Sequence, residues 1–107
     1  MEWTLVCPLD EIVPDTGVCA LLGSEQVAVF RVGAQDVYAI GNVDPHSQAA
    51  VLSRGLVGSI GERIVVASPI YKQHFDLRSG ACIESAAHGV NSYRACVRDG
   101  QVWIAAA

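Results

Sequence analysis

The chain has 107 residues, 51% hydrophobic and 17% charged, with 10 glycines and 4 prolines, the composition of one globular domain over residues 1–107 and not of a collagen, a coiled coil or a disordered chain. Seven basic residues stand against eleven acidic ones, for a net charge of −4, and the arginines are scattered singly, so neither a nucleic-acid backbone nor an anionic membrane surface is an expected partner. No run approaches the ~18 consecutive apolar residues of a membrane-spanning helix, and Glu2 follows Met1 where a secretory signal would carry positive charge, which points to a cytoplasmic protein.

Short runs rich in Val, Ile, Leu and Tyr, broken every eight to twelve residues or so by Gly, Pro, Asn or Asp, predict an all-β chain. A first strand is expected at Trp3 to Cys7, ended by Pro8, with a loop or a single helical turn from Asp10 to Pro14. Val18 to Leu22, Gln26 to Val32 and Val37 to Gly41 are separated by Gly23-Ser24-Glu25 and Gly33-Ala34-Gln35-Asp36, which describes a three-stranded meander. Its middle strand alternates Val27, Val29 and Arg31 with Ala28, Phe30 and Val32, so one face should be fully buried and the other partly. From Asn42 to Gly61 the glycines and the Asp-Pro pair predict a long irregular loop, and long loops in compact domains tend to be functional. Ile64 to Ala67 and His74 to Leu77 read as short strands around a Pro-containing loop. Tyr93 to Arg98 and Gln101 to Ile104 flank Asp99-Gly100, a dipeptide suited to a type I′ hairpin, and Ala105 to Ala107 should fray. About eight to ten strands then form a small antiparallel sandwich or barrel with two projecting loops.

Cys7, Cys19, Cys82 and Cys96 contain no C-x-x-C pair and match no zinc spacing, so they are expected as free and mostly buried thiols. The Gly55, Gly58 and Gly61 run has no P-loop lysine and reads as mobile loop. Glu62 and Asp76 read as solvated carboxylates, and Trp3, Trp103, Phe30 and Phe75 as core.

The two loops carry the functional signal. Asp44-Pro45-His46 lies in the first, and Ser68-Pro69-Ile70-Tyr71 opens the second, within a run reading ASPIYKQHFDLRSG. These segments resemble the two cluster-binding boxes of Rieske-type iron–sulfur domains, whose pattern is C-x-H in the first box and C-x-x-H in the second. The resemblance puts Asp44 and Ser68 at the cysteine positions and His46 and Tyr71 at the histidine positions, so one ligand of four is present. Asp, Ser and Tyr offer hard oxygens where iron–sulfur chemistry favours thiolate and imidazole, and no cofactor is expected on this chain.

A Rieske-like domain without its ligands is similar to one group, the small subunits of the bacterial NAD(P)H-dependent nitrite reductases. That likeness covers nearly the whole chain, including VYAIGNVDPHSQAAVLSRG from Val37 to Gly55 and the closing segment from Tyr93 to Trp103. It implies an accessory, non-catalytic role in nitrate assimilation. The partner would be a large subunit that carries FAD, an iron–sulfur cluster and sirohaem and reduces nitrite to ammonium. His46, Tyr71, Lys72 and Gln73 are the expected partner contacts. Plainer readings stand beside these. Asp44 can be an Asx-turn carboxylate, His46 a loop histidine held by a backbone hydrogen bond, and Tyr71 a packing residue filling the space of the missing cluster, the role favoured for it here. A mononuclear metal site from Asp44, His46 and Tyr71 is a further alternative. Two other function classes remain: a [2Fe–2S] electron carrier with unusual ligands, and a free-standing small-barrel binding module.

Overall fold

The computed structural model describes residues 2–107. Nine strands are present: β1 (Thr4–Pro8), β2 (Thr16–Leu22), β3 (Glu25–Val32), β4 (Asp36–Gly41), β5 (Leu56–Ile60), β6 (Arg63–Ala67), β7 (His74–Asp76), β8 (Ser92–Arg98) and β9 (Gln101–Ala106). They form a six-stranded antiparallel sheet in the order β1-β9-β8-β4-β3-β2 and a three-stranded sheet β5-β6-β7. The helical content among the described residues is three 3₁₀ turns, at Leu9–Glu11, Leu52–Arg54 and Ala86–His88.

Local chemistry sets the hairpins. Asp99 and Gly100 have φ of 53° and 74°, the two left-handed residues of a type I′ turn, whose twist matches that of the strands it joins. Arg98 therefore pairs with Gln101 and the β8–β9 ladder runs back to Tyr93–Ala106. The β2–β3–β4 meander pairs in register from Leu22–Glu25 and Val32–Asp36 outward.

The six-stranded sheet curls, so it has two apolar sides. Val27 and Val29 pack with Leu9, Ile12, Ala39, Val102 and Ile104 inside the curl. Ala28 and Phe30 point the other way and join Ile40, Leu52, Val66, Phe75, Leu77 and Cys82 between the two sheets. Strand β3 is thus buried on both faces from Val27 to Phe30, where sequence alternation had suggested one half-covered face. A continuous apolar run is what double burial requires.

Several other expectations are corrected. The segment from Asn42 to Gly61 is not loop throughout, since it contains β5, whose register with β6 runs from Leu56–Ala67 to Ile60–Arg63. Gly61 is its turn residue, with φ of 60°. Ala105 does not fray but is buried in β9 opposite Arg94. Trp3 and Trp103 are half-buried rather than core, the core volume being taken by Phe30 and Phe75. Of the cysteines Cys82 is buried, Cys7 and Cys96 are intermediate and Cys19 is exposed; all four are free.

Candidate functional site

The tip of the molecule is made by two loops, residues 42–55 after β4 and 68–73 between β6 and β7, with residues 81–91 behind them. The first is shaped from within. Asn42 accepts the Ser53 N–H on Oδ1 at 2.8 Å, and its backbone carbonyl accepts the Leu52 N–H at 3.0 Å. Asp44 Oδ1 accepts the His46 N–H at 2.8 Å, an Asx turn of the kind expected of Asp before Pro. Its backbone carbonyl accepts the Gln48 N–H at 2.8 Å. The second loop closes by Ser68 N–H to the Gln73 carbonyl at 2.8 Å and Lys72 N–H to the Ser68 carbonyl at 3.0 Å, which forces Lys72 to φ 62°.

The two loops are joined by a single side-chain bond. The Ser68 hydroxyl donates to Asp44 Oδ2, and both residues are fully buried. Burial pushes the Asp44 carboxyl up, but the Ser68 hydroxyl, the His46 and Ser47 N–H groups and the nearby His46 outweigh it and hold it below the usual carboxylate range. A buried acceptor with donors on both oxygens stays ionised for this reason.

His46 is held in place rather than presented. Its ring lies 4.8 Å from that of His88 and 6.3 Å from that of Phe75, and its Nε2 is 3.9 Å from Cys82 Sγ. Behind it, His74 Nδ1 lies 2.5 Å from Glu84 Oε2, and the His74 N–H donates to Glu84 Oε1 at 2.8 Å. Slight burial pushes the Glu84 carboxyl up, but these His74 contacts prevail and keep it low. The Cys82, Glu84 and His88 contacts carried no sequence signal, because residues 81–91 are irregular and meet the tip only through the fold.

Tyr71 does not fill a vacated space. It is 60% exposed, beside Ile70 at 43%, and Lys72 is also exposed. The Asp44–Ser68 contact closes the two loops against each other. Gln73 is half-buried, and its Oε1 is buried without a hydrogen-bond partner. Asp76, expected in solvent, is buried. Arg63 Nε donates to its Oδ2 at 2.8 Å and the Arg78 and Ser79 N–H groups to its Oδ1 at 2.7 and 3.0 Å. Burial raises the Asp76 carboxyl less than these donors lower it. No set of three or more His, Cys, Asp or Glu residues among the described residues is placed to hold a metal ion.

A curled antiparallel sheet capped by a three-stranded sheet, with paired loops at one end joined by the Asp44–Ser68 hydrogen bond, defines a Rieske-like domain. The chain matches the family described as the Rieske-like [2Fe-2S] domain over residues 2–105. It is 49% identical over 104 residues, 96% of either chain, to the nitrite reductase (NADH) small subunit of Escherichia coli K12. Among solved structures the E. coli protein NirD superposes with a TM-score of 0.89 at 47% identity, covering 96% of this chain and 94% of that one. The chain belongs to the Rieske-like family, among the nitrite reductase small subunits. A 102-residue stretch, 95% of this chain, is also 43% identical to 11% of the nitrite reductase [NAD(P)H] large subunit of Klebsiella oxytoca.

The family implies a [2Fe–2S] cluster, and the residues here do not fit one. Asp44 and Ser68 already satisfy each other, Tyr71 points to solvent, and the four cysteines lie outside both loops. Hard oxygen donors are poor ligands for iron–sulfur irons.

Proposed function

We propose that this chain is an accessory subunit of a cytoplasmic NAD(P)H-dependent nitrite reductase of nitrate assimilation, with no redox centre of its own. It binds a large subunit that holds FAD, an iron–sulfur cluster and sirohaem. The observation that carries this reading is the Asp44–Ser68 bond, which closes the cluster position inside an otherwise intact frame. The Klebsiella large subunit, which contains an equivalent domain in its own chain, supports the choice of partner. Tyr71 and Lys72 make the docking contact at the tip, together with His46 and Gln73. Exposed tyrosines are enriched at protein interfaces.

The experiment is co-expression with the large subunit from the same cells, followed by affinity capture and iron and acid-labile sulfide analysis of the separated small subunit. Capture of an iron-free chain is expected. Tyr71→Ala with Lys72→Glu should weaken capture more than about tenfold, since anchor residues contribute about 2 kcal/mol each. Failure of the wild-type chain to bind the large subunit, or stoichiometric iron and sulfide in the small one, would end this reading.

A further inference from the structure

Of the four strands at sheet edges, three are guarded, β7 by the segment that follows it, which bridges Phe75 to Cys82. Strand β1 carries a bulge between Leu5 and Cys7 and ends in Pro8. Strand β2 is covered by the turn at Leu52–Arg54, close enough that a Cβ on Gly17 would lie 2.8 Å from the Ser53 carbonyl oxygen. Strand β5, LVGSI, has no charge, no proline and no cover, the features by which natural edges avoid unwanted pairing.

Its open groups can be named. The two-residue turn Gly61-Glu62 closes on the pair Ile60–Arg63, so Ile60, Gly58 and Leu56 exchange hydrogen bonds with β6, and Val57 and Ser59 turn their N–H and C=O outward. The outer face of this small sheet is apolar as well. Leu56 is 78% and Ile60 41% exposed, and between them Gly58 leaves open space where a Cβ would sit. The result is a shallow groove of about 250 Å³ that runs over Val65 and Ala67 to His74. Val65 is buried yet belongs to neither core cluster. The Arg63–Asp76 ion pair and the His74–Glu84 hydrogen bond border the face.

We infer that β5 is a strand-addition site for an uncharged, extended segment of the large subunit, about five residues long, one of whose side chains lies over Gly58. The inference rests on the accessory-subunit reading. Two observations select this occupant. Leu56 pairs with Ala67, the residue that leads into the Ser68–Gln73 tip, so edge and tip make one continuous surface. A large subunit in Klebsiella oxytoca carries an equivalent domain within its own chain, so a partner shaped to this domain exists. A second copy of this chain is disfavoured by its net charge of −4. Strand addition supplies affinity through main-chain bonds and specificity through alternate side-chain pockets.

Gly58→Lys tests it, because the site has room for a side chain and the backbone there is ordinary extended strand. The variant should melt with the wild type yet bind the co-expressed large subunit at least about tenfold more weakly. Hydrogen exchange on the wild-type complex supplies a second reading that needs no variant: the Val57 and Ser59 amides should become protected on binding, with β2 unchanged. Binding of Gly58→Lys within twofold of wild type, or exchange at Val57 and Ser59 unchanged in a complex that does form, overturns the inference and leaves the accessory role standing. No complex at all overturns the accessory role itself. Protection of the same amides in the free chain as its concentration rises, abolished by Gly58→Lys, gives the site to a second copy and also overturns it.

Discussion

Replacing Ser68 with Ala removes one oxygen from a position with no solvent contact and leaves Asp44 Oδ2 facing a methyl group. The cost follows from the partners. Asp44 keeps the His46 N–H at 2.8 Å on its other oxygen, so the carboxylate is half stripped rather than abandoned. A hydrogen bond to a buried charge contributes roughly 1.5–3 kcal/mol, and the lost volume is too small to add a cavity term. We expect Ser68→Ala to destabilise by about 2 kcal/mol, a fall in Tm of about 8 °C for a chain of this length. Asp44→Ala should cost about 3 kcal/mol. The double variant should cost little more than Asp44→Ala alone, because residues in one hydrogen bond are not additive.

The pH dependence carries its own sign. The folded Asp44 carboxyl sits below its ordinary value, so its stabilisation is fully present above the unfolded value near about pH 4 and is lost as pH falls through the folded one. The wild-type advantage over Ser68→Ala should therefore be widest at neutral pH and shrink below about pH 4, where a protonated carboxyl gains less from the serine. Chemical denaturation at a series of pH values measures this. A Ser68→Ala change within about 0.5 kcal/mol of zero, the ordinary scatter of surface substitutions, would refute the account of a bond that ties the loops. So would a gap that stays constant from pH 7 to pH 3.

The same reasoning run backwards predicts that Asp44→Cys, Ser68→Cys and Tyr71→His together, with His46 retained, allow anaerobic reconstitution of a cluster with about two irons per chain; a colourless, iron-free product would show that the loops have closed beyond recovery. Gly80 has φ of 80°, and a Cβ there would run into the Val90 carbonyl oxygen, so Gly80→Ala should cost more than about 3 kcal/mol through backbone strain and that clash together. A melting temperature close to wild type would place the strain elsewhere.

What the sequence made legible was what local chemistry decides. The Asp99-Gly100 turn, the meander from Val18 to Gly41 and the Asx turn at Asp44 each depend on residues a few positions apart, and each stands where it was expected. Strand β5 was hidden because Leu56–Ile60 sits among Gly55, Gly58 and Gly61, a composition that reads as loop; it is a strand because β6 pairs with it. Asp76 reads from sequence as a surface carboxylate because its partner Arg63 is thirteen residues away. The Asp44–Ser68 bond spans twenty-four. Contacts of that range follow from the fold and leave no local pattern.

Retention of His46 then has a structural explanation. Its N–H completes the Asx turn at Asp44 and its ring lies against those of Phe75 and His88 with Cys82 beneath, so it helps hold the first loop over the core without any metal. In a cluster-bearing domain the ligand bonds tie two loops to one another; here a carboxylate and a hydroxyl do so. Both arrangements tie two loops together at the same end of the fold, and here the outside of the tip presents Ile70, Tyr71 and Lys72. The chemistry of the site and the shape of its surface are therefore separable, and a domain can lose the first while its loops keep the second.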